Sequence, residues 1–238
     1  MRKTFIIILL FMLILQVSGQ VKRVQNDPGY DYKWIHFGFM VGLNTMDFGF
    51  KRPVPIQDSV LFADVSKPNP GFQVSIVSDL RMGDRLSLRF LPGITFGSRS
   101  FYFYNVTRGD TAHSLVSRQN VESNYLDFPL LLKYKSRRVN NYRPYIIGGL
   151  NIRYDMAARK DYDEDGPFVR LVPMDFFAEV GFGIDFFLQY FKFSPELKVS
   201  VGFRDVLVHN PAGGGNDWYA NSINRLNSYL VMLCFYFE

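Results

Sequence analysis

The chain has 238 residues, of which 24 are Phe and 14 Tyr, with a formal charge of +5 and a pI near 9.2. That length fits one domain with a buried core, and the aromatic share favours sheet. The basic residues are scattered rather than gathered beside stacking aromatics, which argues against nucleic acid as a partner, and the single cysteine, Cys234, excludes an internal disulfide.

Residues 1–20, MRKTFIIILLFMLILQVSGQ, carry Arg2 and Lys3, an apolar run from Phe5 to Leu15, and small residues before Gln20. This is the layout of a cleaved export signal. The run is shorter than the roughly 20 residues that cross a bilayer as a helix. The expected division is therefore a signal peptide over 1–19, a periplasmic N-terminal segment over 20–34, and a β-barrel over 35–238. No cysteine stands at the cleavage point to carry a lipid. Nothing later in the chain approaches 18 consecutive apolar residues, so a mature chain that meets a membrane does so with strands.

Eight stretches then alternate with period 2, the signature of strands with one apolar and one polar face. Residues 36–44 set Phe37, Phe39, Val41 and Leu43 against Gly38, Met40 and Gly42. Residues 71–80 set Phe72, Val74 and Ile76 against Gln73 and Ser75. In 86–97, Leu86, Leu88, Phe90, Ile94 and Phe96 oppose Ser87, Arg89, Gly93, Thr95 and Gly97. In 124–135, Leu126, Phe128, Leu130, Leu132 and Tyr134 oppose Asp127, Leu131 and Lys133. Residues 144–155 set Ile146, Leu150, Ile152 and Tyr154 against Asn151 and Arg153. Residues 175–186 set Phe176, Val180, Phe182, Ile184 and Phe186 against Asp175, Glu179 and Asp185. Residues 191–203, FKFSPELKVSVGF, place Phe193, Leu197, Val199 and Val201 opposite Lys192, Ser194, Glu196, Lys198 and Ser200. The eighth stretch, 226–238, is apolar on both parities and leaves its facing open.

The connections alternate between short (RMGD, SRRVNNY, a tight turn at 188–190) and long, near 51–70, 99–122, 156–173 and 204–224. Strands of this length, with short turns at one end and long loops at the other, predict an all-β fold. It is an eight-stranded, antiparallel, up-and-down transmembrane barrel of the outer-membrane type, with short periplasmic turns and long extracellular loops. A soluble lipocalin-like calyx is the other eight-stranded closure. It would turn the polar parity to water and crowd it with long charged side chains. Here that parity is rich in Gly, Ser and Thr, and its mid-strand charges are few and nearly balanced: Arg89, Asp127, Lys133, Arg153, Glu179, Glu196 and Lys198. A barrel of eight strands is just wide enough for its own side chains. These seven are therefore expected to form a structural ion-pair network inside the barrel, because an unpaired charge there is costly. The aromatics near strand ends (Phe37, Phe72, Phe96, Tyr134, Tyr154, Phe186, Phe191, Phe203) read as interfacial girdles.

Several segments, VGLNTMDFGFK (41–51), NPGFQVSIVSDLRMGDRLSLRFLPGITFGSR (69–99), VESNYLDFPLLLKYKSRRVNNYRPYIIGGLNIRYDMA (121–157) and KFSPELKVSVGFRDVLVH (192–209), resemble the PorT family, SprT in gliding Bacteroidetes. The resemblance implies an outer-membrane barrel required for type IX secretion, in an assembly or accessory role. It implies type IX secretion components, outer-membrane lipid and the barrel assembly machinery as partners. It carries no catalytic motif, metal or cofactor. The terminal aromatic that assembly machinery commonly recognises is penultimate here, Phe237 before Glu238. The alternative reading is a stand-alone small barrel with a structural or loop-mediated binding role.

Other chemistry has weak signals. His36, His113 and His209 stand far apart; His113 and His209 beside Asp110, with Ser114 and Ser117, make a loop-borne hydrolytic or metal site only if the loops converge, and no triad or metal spacing supports that. The three glycines of 211–219, PAGGGNDWY, open no helix and cradle no phosphate, while Trp218 and Tyr219 suit a contact surface. DSV (58–60) and DTA (110–112) resemble the three-residue O-glycosylation signal of that bacterial group and fall in expected outer loops.

Overall fold

The computed structural model describes residues 25–51, 59–65, 69–107, 114–159, 172–206 and 225–238. The expected signal peptide lies outside them. Ten strands are present among the described residues: β1 (Ile35–Lys51), β2 (Ser59–Val65), β3 (Asn69–Arg81), β4 (Leu86–Phe90), β5 (Gly93–Thr107), β6 (Ser114–Lys135), β7 (Tyr142–Asp155), β8 (Met174–Phe187), β9 (Lys192–Gly202) and β10 (Arg225–Phe237). Neighbours pair antiparallel, and the ring closes where β10 runs beside β1 and β1 beside β3. No sheet edge is left within the ring, which is what a bilayer demands of strands.

β4 and β5 are two halves of one stave. Both pair with β3 on one side and β6 on the other, so ten strands make an eight-stranded barrel. The sequence pattern gives 86–97 as one continuous strand; the chain instead breaks at Leu91 and Pro92. Proline has no N–H for the ladder, and its carbonyl is used instead, accepting from the Ile76 amide at 2.9 Å. β2 stands outside the ring, against the distal part of β5, with Ser59 opposite Thr107 and Val65 opposite Phe101.

Two expected loops are corrected. Residues 51–70 contain β2, and 99–122 are mostly strand, because β5 runs on to Thr107 and β6 starts at Ser114. Residues 101–104 read Phe-Tyr-Phe-Tyr, with aromatics on both parities, so the alternation that marks the other strands is lost there.

The parities sort as one face out and one in. Phe37, Leu43, Ile76, Leu150, Val180 and Phe182 are exposed on the outside, while Met40, Val77, Leu131, Ile147 and Phe177 are buried inside. β10, ambiguous in sequence, turns Tyr229, Val231 and Leu233 outward and Leu230, Met232, Cys234 and Tyr236 inward. Its register fixes this, Val231 lying opposite both Val199 of β9 and Thr45 of β1; a slip of one residue would reverse every side chain. Small residues make room for large ones. A Cβ on Gly42 would sit 2.8 Å from Gln73 Nε2, and one on Gly183 would sit 2.5 Å from the Tyr145 hydroxyl.

Candidate functional site: the charged interior

Among the described residues the interior carries eight buried cations, Arg89, Arg99, Lys133, Lys135, Arg143, Arg153, Lys192 and Lys198. Against them stand seven buried carboxylate residues, and the fully covered side chain of Glu238 brings the acids to eight as well. Every one lies on the inward parity of its strand or at a strand end, so the same alternation that turns phenylalanine outward collects charge within.

The middle layer centres on Arg153. β7 sets it opposite Asp127 of β6 and Asp175 of β8. Its Nε donates to Asp127 Oδ1 at 2.6 Å and its Nη2 to Glu179 Oε1 at 2.8 Å. Lys198 approaches Glu179 Oε2 at 3.0 Å. Asn151 donates to both carboxylates, at 3.2 Å to Asp127 and 2.8 Å to Glu179. The Thr95 hydroxyl donates to Asp127, and Ser200 donates to Glu179 at 3.2 Å. A void of about 10 Å³ lined by Met40, Gln73, Asp127, Arg153, Glu179 and Lys198 has room for about one water.

A second layer sits at the short-turn end. Arg89 donates to Asp79 Oδ2 through Nε at 3.0 Å and Nη2 at 2.8 Å, and to Glu238 Oε1 at 2.8 Å. Lys192 donates to Glu238 Oε2 at 2.7 Å, and Lys133 to Asp185 at 2.7 Å. The Tyr145 and Tyr236 hydroxyls donate to Glu196 at 2.8 and 2.7 Å.

The segment before β1 packs onto this layer. Tyr30, in a single 3₁₀ turn (Tyr30–Tyr32), is buried, donates to Glu238 at 2.8 Å and accepts from Lys192 at 2.5 Å. Burial, then the charge of Glu238, pushes the Tyr30 phenol well above its ordinary range and keeps it a donor. Asp31 accepts from Arg143 at 2.6 Å. Toward the long-connection end, Arg99 is buried among neutral partners, donating to Ser228, Ser123 and Tyr125 at 3.0, 2.5 and 2.6 Å. Its guanidinium carbon lies 3.8 Å from the Phe48 ring centroid, a cation–π contact.

Of the seven residues singled out in sequence, Arg153, Asp127, Glu179 and Lys198 meet in one cluster. Arg89 comes only within 4.0 Å of Glu196 and is held instead by Asp79 and Glu238, while Lys133 takes Asp185. Asp79 and Glu238 were thus missed, and Asp185 and Lys192, already on the polar parity of their stretches, were left out of the network because only mid-strand charges were counted. Parity also reaches Asp79, which shares a face with Ser75. Tyr30 had no periodic signal at all.

His36 stacks on Tyr30 at 3.9 Å between ring centroids, with Nε2 2.9 Å from the Tyr30 carbonyl oxygen. His113, His209, Asp58, Asp110–Thr111–Ala112, Trp218 and Tyr219 lie outside the described residues; Ser59 and Val60 fall in β2, and Ser114 and Ser117 in β6. Among the described residues no group of three or more His, Cys, Asp or Glu is placed to hold a metal.

A closed antiparallel ring, apolar outside and ion-paired inside, defines a membrane-spanning β-barrel. The chain belongs to the outer membrane protein beta-barrel domain family, whose match covers residues 23–208. No curated protein matches the chain. Among solved structures it is similar to the outer membrane protein OprG from Pseudomonas aeruginosa, at 12% identity over 84% of this chain and 94% of that one, with a TM-score of 0.43. It is similar also to Neisserial surface protein A (NspA), at 11% identity over 86% and 98% of the two chains, with a TM-score of 0.40. The N-terminal barrel domain of Pseudomonas aeruginosa OprF gives 11% identity over 83% and 96%, with a TM-score of 0.32.

Proposed function

We propose that this barrel is a non-enzymatic component of protein export by type IX secretion, acting in assembly or as an accessory rather than as the conduit. The observation that carries the reading is the filled interior. Eight staves leave no bore for a polypeptide, and the space they enclose holds paired side chains. What remains for work is the outer surface, the short-turn rim and the long connections. The resemblance of 41–51, 69–99, 121–157 and 192–209 to PorT proteins supplies the process. The expected partners are the lipid around the barrel, the machinery that inserts it and the secretion components it touches.

Deleting the gene tests this. The expected result is retention of type IX cargo inside an otherwise intact envelope, reversed by a plasmid copy. Undiminished cargo export by the deletion strain would overturn the proposal.

A further inference from the structure

At the short-turn rim an apolar trough and a basic cleft share one wall. The trough, about 670 Å³, lies on the outer surface against Tyr134, Pro144, Ile146, Phe182 and Ile184. These belong to three adjacent strands, since Tyr134 of β6 pairs with Ile146 of β7, which pairs with Phe182 of β8. The cleft, about 400 Å³, opens at the barrel mouth. Arg85, Lys135 and Arg137 border both.

The charges around that wall are not equal. Arg81 is held by Asp84 at 2.6 Å, Arg143 by Asp31 and Asp185 at 2.6 and 3.4 Å, and Arg138 by Asp31 at 3.7 Å. Arg85, Lys135 and Arg137 have no carboxylate within ion-pair reach among the described residues. They are nevertheless held together: the Lys135 amide donates to the Arg85 carbonyl at 2.7 Å, and Arg137 follows two residues on. Lys135 is moreover only 7% exposed. A nearly buried ammonium with no ion pair among the described residues is stabilised in its charged form by an anion brought beside it.

We propose that this rim binds one anionic phospholipid of the leaflet it faces, with its phosphate against Arg85, Arg137 and Lys135 and an acyl chain in the Tyr134–Ile146–Ile184 trough. Charge complementarity selects the head, and the trough on the lipid side selects a chain joined to it. Tyr134 sets the depth, because tyrosines of this kind sit at the headgroup level. The site rests on the membrane placement of the barrel and not on the export role.

Native mass spectrometry of the full chain released from detergent tests the site, with phosphatidylglycerol and phosphatidylcholine of identical chains as probes. One phosphatidylglycerol is expected to be retained in preference to phosphatidylcholine. The double variant R85Q/R137Q, which breaks no ion pair among the described residues, is expected to keep the folded gel mobility of the parent and to weaken that retention roughly thirtyfold, two cations at the surface value each. R204Q, at the opposite end of the barrel, is expected to leave it unchanged. Equal retention of the two lipids, or undiminished retention by R85Q/R137Q, overturns the proposal. So does equally strong binding of soluble glycerol phosphate, which would make this a free-phosphate site.

Discussion

Removing Arg153 while leaving its partners in place tests the charged interior at its centre. In Arg153→Met, Glu179 keeps Lys198 at 3.0 Å, Asn151 at 2.8 Å and Ser200 at 3.2 Å. Asp127 keeps only the neutral Asn151, at 3.2 Å, and the Thr95 hydroxyl. One carboxylate is left buried without a counter-ion. Breaking a buried pair in this way costs roughly 3–5 kcal/mol, a change of about a hundredfold or more in the folding equilibrium. Adding Asp127→Asn removes the stranded charge, and neutral replacement of a whole buried pair is often close to costless. The double variant is therefore expected to recover most of the loss. The assay is reversible unfolding in urea of barrels refolded into lipid vesicles, read by the gel mobility of folded against unfolded chain. The single variant should lower the midpoint by about 1 M or more. A single variant within about 0.5 kcal/mol of the parent, or a double variant no better than the single, would refute the reasoning.

Glu238→Ala takes the shared acceptor from Arg89, Lys192 and Tyr30; a loss of about 3 kcal/mol or more and faster tryptic cleavage after the exposed Lys33 are expected, and an unchanged digestion pattern would contradict the anchoring of the N-terminal segment. Val180→Arg, outward and halfway along β8, should cost about 2–4 kcal/mol in vesicles, against about 0–1 for Tyr190→Arg at the turn; equal costs would contradict the membrane span. Cys234 is a natural reporter of the interior, being the sole cysteine and buried. It should resist a small maleimide in the folded barrel and react fully in urea, and rapid labelling of the folded form would mean that the interior is open.

Much of the architecture could be read because a membrane barrel writes its two environments onto alternate residues. Phe193, Leu197 and Val199 against Lys192, Glu196 and Lys198 give strand, facing and the polarity of each side at once. The pattern fades where its cause does. Over 101–107 of β5 and 114–123 of β6 the chain is still strand although the alternation is gone. The break at Leu91 and Pro92 changes backbone pairing while keeping the parity of Arg89 and Thr95, so alternation could not register it. Which charges pair is set by register and by the ring's closure: Arg89 finds Glu238, 149 residues away, and no local pattern encodes that meeting. β10 was ambiguous because its inner face packs a hydrophobic cluster, Leu230, Met232, Cys234 and Tyr236, instead of charge.

Nitroxides placed singly at Val180, Leu197 and Val199, in a Cys234→Ser background reconstituted into phospholipid vesicles, report most directly which medium bathes the outer face. Strong relaxation by oxygen and little by a water-soluble nickel chelate at all three is the expected outcome, with the reverse at Tyr190 in the turn. Dominant relaxation by the nickel chelate at the three strand positions would contradict a barrel that faces lipid with its phenylalanines and seals its charges within.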